Sequence, residues 1–336
     1  MPAFTMDKLP KRVLAKIDFQ TAFMASRCVV AAEQLHIFRK LSGREMTAGQ
    51  LGRVCKLHPS RRDIFLSVLV SLGLLRRSGD YFYNSRLAER YFVKERSVHW
   101  TNIYSAECGE EYLAFTVLEE TLTTGRNYES LLGVKREYYF ERLLDDPEWA
   151  KGFTHMLYEE HQREARALAR TLDLRRYESL LDVGGGSGVM SIELVRAHRH
   201  LTACVLDIAN VVRVTRSIVR REGLTGRIRT HAGDMNKSLP SGYDVVLFCD
   251  LGRLSNAVLR RAYRSLPSNG LLVWVDYFGS DNLFAPLTRL MWQLRSPSPK
   301  LTTRSSATEQ VRDCGFQKVR CRWLVGDAWL LTAHKP

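Results

Sequence analysis

No uninterrupted apolar stretch in the 336-residue chain approaches the ~18 residues that a membrane-spanning helix needs. The N-terminal "MPAFTMDKLPKRVLAKIDF" carries scattered charges where a signal peptide has an apolar core. Ordered cysteine spacing is missing too. The seven cysteines (28, 55, 108, 204, 249, 314, 321) are odd in number and scattered, with no CxxC pair and no clustered histidine partner. That excludes a disulfide framework and a structural zinc site, and predicts a reducing, cytoplasmic setting with no metal. Two nucleotide fingerprints fail as well. The dinucleotide pattern GxGxxG, read from Gly184, ends on Val189, and read from Gly186 it ends on Ser191. No Gly-Lys-Ser/Thr follows, so the loop is not a nucleoside-triphosphate P-loop.

What is plentiful is positive charge, a formal +14. Such an excess suits nucleic acid, an anionic membrane or an acidic substrate. The basic residues are dispersed, however, and the densest run, "RVTRSIVRREGLTGRIR", reads as the solvated face of a helix.

The chain has two textures. Residues 11–176 read as almost entirely helical, and residues 177–336 alternate short apolar strands with helices. Within the first, Thr47 is placed to cap a short helix, and "PSRRDIFLSVLVSLGLL" opens a second on Pro59 and Ser60. "LLRRSGDYFYNS" then gives two β runs around Ser-Gly-Asp. Helix, helix, hairpin is a winged helix-turn-helix. Its second helix is basic only in the first turn, whereas a DNA-reading helix needs several polar side chains at base edges. The unit is therefore read as a packing and dimerisation module, and nucleic acid is not the expected partner. Residues 145–174 read as one long helix running into the sheet domain, with Phe153, Met156 and Leu157 on one face. The expected organisation is a winged-helix dimerisation domain over 1–95, helical linker and pocket helices over 96–176, and an α/β domain over 177–336. That last domain is a Rossmann-like parallel sheet built by right-handed crossovers, ending in an antiparallel hairpin around Gly326-Asp327.

"LLDVGGGSGVMSIELV" joins an apolar strand to a helix. Its glycines permit tight turning and close ligand approach. Asp207 ends the next strand, nineteen residues after Gly188, where a carboxylate can accept hydrogen bonds from both hydroxyls of a ribose. A third strand ends in "AGDM", which brings in Asp234 and Met235. The residues alone thus point to a nucleoside-bearing ligand.

In this order, on successive strands, the three motifs resemble the class I S-adenosylmethionine (SAM)-dependent methyltransferases. With the winged-helix module, the "FTHM" helix and the terminal hairpin, nearly the whole chain resembles the small-molecule O-methyltransferases of acetylserotonin and caffeic acid type. The resemblance implies a homodimer acting on a small, aromatic metabolite. It implies that Asp182, Gly184, Gly185, Gly186 and Cys249 surround the methionine part of SAM, Asp207 and Ile208 the ribose, and Asp234 with Met235 the adenine. It also implies that Phe153, Met156 and Met291 face the acceptor.

One stretch departs from the family. The turn after "YDVVLFC" normally carries a histidine base with an aspartate partner. Aligned without a gap, those positions fall on Arg253 and Leu254, and the turn is several residues shorter. The family's acid after the fifth strand is matched by Asp276. Three readings stand open. Transfer proceeds without a strong base, to an ionised oxygen, a nitrogen or a carbon (a bacteriochlorophyllide C-methyltransferase-like branch also lacks this histidine), with Arg253 holding an anionic acceptor. Or another residue is the base, with His155, Asp250 and Asp276 as candidates. Or the protein binds SAM without methylating, or is a regulatory winged-helix protein.

Overall fold

The computed structural model describes residues 21–93, 108–133, 139–279 and 302–336. The chain divides into two compact units, Phe4–Tyr112 and Leu113–Pro336. The helices from residue 113 onward therefore belong with the sheet.

The first unit contains α1 (Ala22–Gln34), β1 (Met46–Thr47), α2 (Ala48–Val54), α3 (Pro59–Ser71), β2 (Leu75–Ser78) and β3 (Tyr81–Asn84). Thr47 caps α2 through a reciprocal pair with Gln50, which satisfies two amides that the first helical turn leaves without partners. The strands form a three-stranded sheet in the order β1-β3-β2, the wing of the expected motif. Leu51, Leu66, Leu69, Leu75 and Phe82 share one core, and Phe38 stacks on Phe92 at 4.6 Å. On α3, Ile64 is 65% exposed and Arg62 is tied to the neighbouring Asp63 at 2.7 Å. An apolar, self-paired surface of this kind suits protein packing better than base reading.

In the second unit, α4 (Pro147–Glu160) and α5 (Gln162–Thr171) precede the sheet domain. Then come β4 (Ser179–Val183), α6 (Val189–Ala197), β5 (Thr202–Asp207), α7 (Ala209–Arg221), β6 (Ile228–Ala232) and β7 (Val245–Cys249). The chain ends with α8 (Asn256–Ser265), β8 (Leu271–Asp276), α9 (Arg304–Asp313), β9 (Gln317–Val325) and β10 (Ala328–His334). The sheet order is β6-β5-β4-β7-β8-β10-β9. Strands β4 to β8 are mutually parallel, and β10 pairs antiparallel with β8 and β9, as the terminal hairpin requires. Alternate residues of one strand serve opposite faces. Val245 and Leu247 enter one core layer, while Val246 and Phe248 enter the other with Trp274. A strand covered on both sides is apolar throughout, which is why "VVLFC" shows no alternation. From β4 the chain winds outward one way to β5 and β6, then returns to place β7 on β4's other side. Such a reversal opens a crevice at the carboxyl ends of the strands.

The helix expected over 145–174 is broken. His161 separates α4 from α5 with φ −87° and ψ 8°. Neither proline nor glycine stands at the break. It coincides with the residue whose ring is bonded to a carboxylate of another element, described next.

Candidate active site

The glycine loop is folded back onto β5. The Gly184 amide donates to the Leu206 carbonyl at 2.8 Å, and the Gly186 amide donates to Asp207 Oδ2 at 2.8 Å. Gly184 and Gly186 have φ of +63° and +53°, the left-handed region that a side chain disfavours. Space is restricted as well. A Cβ on Gly184 would lie 2.7 Å from Leu251, and one on Gly185 would lie 2.6 Å from Asp182 Cγ. On Gly186 it would meet Leu157 at 3.4 Å.

Asp182 is fully buried beneath this loop. Its Oδ2 accepts from the Ser191 hydroxyl at 2.7 Å, while Oδ1 has no partner among the described residues. Burial pushes its carboxyl up to about 6, against the Ser191 hydrogen bond and helped by the charge of Asp207. Asp207 is also raised to about 6 by burial, opposed by the amides of Gly186 and Ile208. Each Asp207 oxygen accepts one amide, Ile208 donating to Oδ1 at 2.7 Å. A carboxylate oxygen has two acceptor directions, so one on each oxygen is left for a ribose hydroxyl. Asp234 Oδ1 accepts the Asn236 amide at 2.8 Å. Met235 packs, half-buried, on one core layer with Leu251. The glycine cradle and the spare acceptors of Asp207 fit a nucleoside.

Helix α4 passes over this cradle. Phe153 stacks on Trp149 at 4.9 Å and packs with Ile208 and Val211 beside the end of β5. Leu157, one turn on, faces Gly186 at the end of β4. His161, one turn further, puts its Nε2 3.0 Å from Asp250 Oδ2 at the end of β7. Positions i, i+4 and i+8 of one helix face thus visit three neighbouring strand ends.

Asp250 has φ +50°, a left-handed conformation that costs a non-glycine residue about 1–3 kcal/mol and clusters at functional sites. Its amide is anchored on the Val275 carbonyl at 3.0 Å. The far end of the short turn is tied down. Leu254 is buried, Gln310 donates to its carbonyl at 2.7 Å, and Ser255 caps α8. Around the pair stand buried Glu160 and Glu164, the half-buried Cys249 and Tyr277. Among the described residues, Glu164 Oε2 and the Tyr277 hydroxyl have no hydrogen-bond partner. Burial alone would lower the His161 pKa, but the hydrogen bond and charge of Asp250, with Glu160, turn the net shift upward. Burial and the surrounding carboxylates hold the Cys249 thiol well above its usual range, so it stays neutral.

Other expected site residues have different settings. Arg253 is exposed. His155 is held below its usual pKa by burial, then by Arg221 and Lys151. Asp276 is buried, with Oδ2 accepting the Trp274 indole N–H at 3.1 Å and Oδ1 its neighbour's amide at 2.8 Å. Met156 is fully buried. Met291 lies outside the described residues. Of the pair itself, Asp250 is a candidate base from sequence, whereas His161 reads from sequence as a solvated or satisfied helix residue. Its signal is its position eight residues after Phe153 on the helix face that crosses the crevice.

The chain matches the O-methyltransferase domain over residues 111–299 and the O-methyltransferase dimerisation domain over residues 17–94. The chain belongs to the O-methyltransferase family. The N,N-dimethyltransferase OxyT of Streptomyces rimosus is 28% identical over 95% of this chain and 96% of its own length. The L-tyrosine C(3)-methyltransferase of Streptomyces lavendulae is 29% identical over 76% and 72%. The crystal structure of human N-acetylserotonin methyltransferase in complex with SAM shares the fold, with a TM-score of 0.82, 20% identity and 97% coverage of both chains. The protein is therefore a SAM-dependent methyltransferase of small molecules. SAM supplies a methyl group made electrophilic by its sulfonium. Among the described residues no helix is long and apolar enough to cross a membrane.

Proposed function

We propose that the protein methylates a small aromatic metabolite of secondary metabolism at an oxygen, nitrogen or carbon, working as a homodimer in the cytoplasm. The observation that carries the reading is the nucleoside cradle crossed by α4, which leaves the acceptor beside Phe153, Leu157 and the end of β7. Aromatic Phe153 and Trp149 near the cradle favour a flat acceptor. The breadth of atoms is supported by relatives named for nitrogen and carbon methylation within a family described by oxygen. Dimerisation is supported by the matched dimerisation domain. It is also supported by an apolar groove of about 450 Å³ along α1 and α3, lined by Ala31, Leu35, Ile64, Phe65 and Val68. The free cysteines at 28, 55, 204, 249, 314 and 321 suit a reducing compartment.

The test combines calorimetry with S-adenosylhomocysteine (SAH) and label transfer from methyl-labelled SAM to a panel of phenols, aromatic amines and L-tyrosine. Binding with transfer to at least one acceptor is expected. A protein with no affinity for SAM or SAH overturns the reading, and one that binds SAH but transfers to nothing in a broad panel favours a non-methylating role.

A further inference from the structure

We propose that His161 takes up the proton released by the methyl acceptor, and that Asp250 is its positioning residue. The proposal rests on the methyl-transfer reading above and assigns the acid–base role that the shortened turn after β7 no longer contains.

Four observations carry it. The ring of His161 is fixed by a 3.0 Å bond from Nε2 to Asp250 Oδ2. With Asp250 ionised, Nε2 holds the proton of that bond and Nδ1 presents a lone pair, the only tautomer of a neutral imidazole that satisfies the carboxylate. Among the described residues Nδ1 has no hydrogen-bond partner. The pair is also placed where the reaction occurs. Leu157, one turn before His161, faces Gly186, and Leu251, next to Asp250, faces Gly184. The His161–Asp250 pair thus joins the two segments whose Leu157 and Leu251 line the glycine cradle. Asp250 is held in a left-handed backbone conformation, and its amide bond to Val275 directs the side chain back toward α4. Finally, α4 stops being helical at His161 itself.

The alternatives are chemically weaker. Arg253 is exposed, and a guanidinium has no lone pair to offer a proton. Asp276 is buried and holds the Trp274 indole and a backbone amide at the end of β8. The Cys249 thiol stays protonated.

The proton balance is simple. The acceptor's electron pair forms the new bond to the methyl carbon as the carbon–sulfur bond breaks and leaves its pair on sulfur. The acceptor's X–H proton passes to Nδ1, and the resulting imidazolium is stabilised by Asp250, as in the Asp–His pairing of hydrolase triads. Solvent then removes the proton. Among the described residues, the groups facing His161 are Asp250 on the turn after β7, Glu160 on α4 and Glu164 on α5. Tyr277 after β8 and Cys249 on β7 face the same carboxylates. All are neutral or anionic, so the imidazolium form is tolerated in this interior.

The experiment uses the full chain saturated with SAH and labelled in its imidazole nitrogens, with His161→Gln to assign the His161 signals and Asp250→Asn to perturb them. His161 is expected to gain and lose one proton with a midpoint above that of an ordinary imidazole, and that midpoint is expected to fall in Asp250→Asn. SAH affinity is expected to stay within about threefold in both variants, because neither residue would hold the cofactor. In label transfer from SAM to 2-naphthol, His161→Gln is expected to lower kcat by about 10²–10⁴-fold with KM for SAM unchanged. A His161 that keeps one charge state from about pH 5 to 10 cannot carry a proton and overturns the proposal, whether or not 2-naphthol is accepted. An SAH affinity lowered by more than about tenfold in either variant overturns it too, by assigning the pair to cofactor binding. Loss of SAH binding in the wild type would instead defeat the parent reading.

Discussion

The Gly186 amide donates to Asp207 Oδ2 at 2.8 Å, so the residue that closes β5 also fixes the glycine loop leaving β4. Replacing Asp207 with alanine removes the proposed ribose acceptors and this brace together. Two hydrogen bonds to a charged group are worth about 1.5–3 kcal/mol each, so Asp207→Ala is expected to weaken SAH by about 100-fold or more in calorimetry.

Acidity should act through the same carboxylate. Asp207 titrates near a pKa of about 6, and its ionised form is the better acceptor for ribose hydroxyls. SAH affinity measured between pH 8 and 4.5 is expected to be flat above about 7 and to fall below about 6, by no more than about tenfold per unit for a single proton. A flat profile throughout would separate Asp207 from the ribose.

Stability should run the other way. Asp182 and Asp207 have folded pKa values raised to about 6. The protonated form is favoured in the fold, so their contribution is greatest below the unfolded value near 4 and is lost as pH rises through about 6. A two-unit shift corresponds to about 3 kcal/mol at most. Melting curves of Asp182→Asn are expected to lose part of the decline that the wild type shows over that window.

Gly185→Ala is expected to lower Tm by several degrees and to impair SAH binding. Its new methyl would lie 2.6 Å from Asp182 Cγ, and overpacking of this sort costs about 1–3 kcal/mol.

Arg253→Ala is expected to leave Tm and SAH affinity unchanged, because the side chain is exposed. If Arg253 holds an anionic acceptor, the change appears as a raised KM for that acceptor alone, measured under saturating SAM.

The parts legible in the sequence were those written in consecutive residues. The glycine loop, the Asp207 strand end, the Thr47 cap and the Gly326-Asp327 hairpin each depend on a few neighbours and on local backbone preferences. The pairing of His161 with Asp250 spans 89 positions and depends on the path of α4 over the sheet. No local pattern announces it, and a histidine on an amphipathic helix usually serves no chemistry. The same distance hid the break in the helix, since nothing in "YEEHQRE" is a helix breaker by propensity.

Helix α4 works as a ruler. Its contacts beside Ile208, at Gly186 and at Asp250 are fixed at one-turn intervals along one rigid rod. Each residue turns the helix by about 100°. Inserting or deleting one residue between Phe153 and His161 would therefore swing one end of this stripe off the crevice while the other stayed in place. Point substitutions can reshape the acceptor pocket, but lineages that change its length must do so elsewhere, and α4 should tolerate gaps least of any helix in the unit.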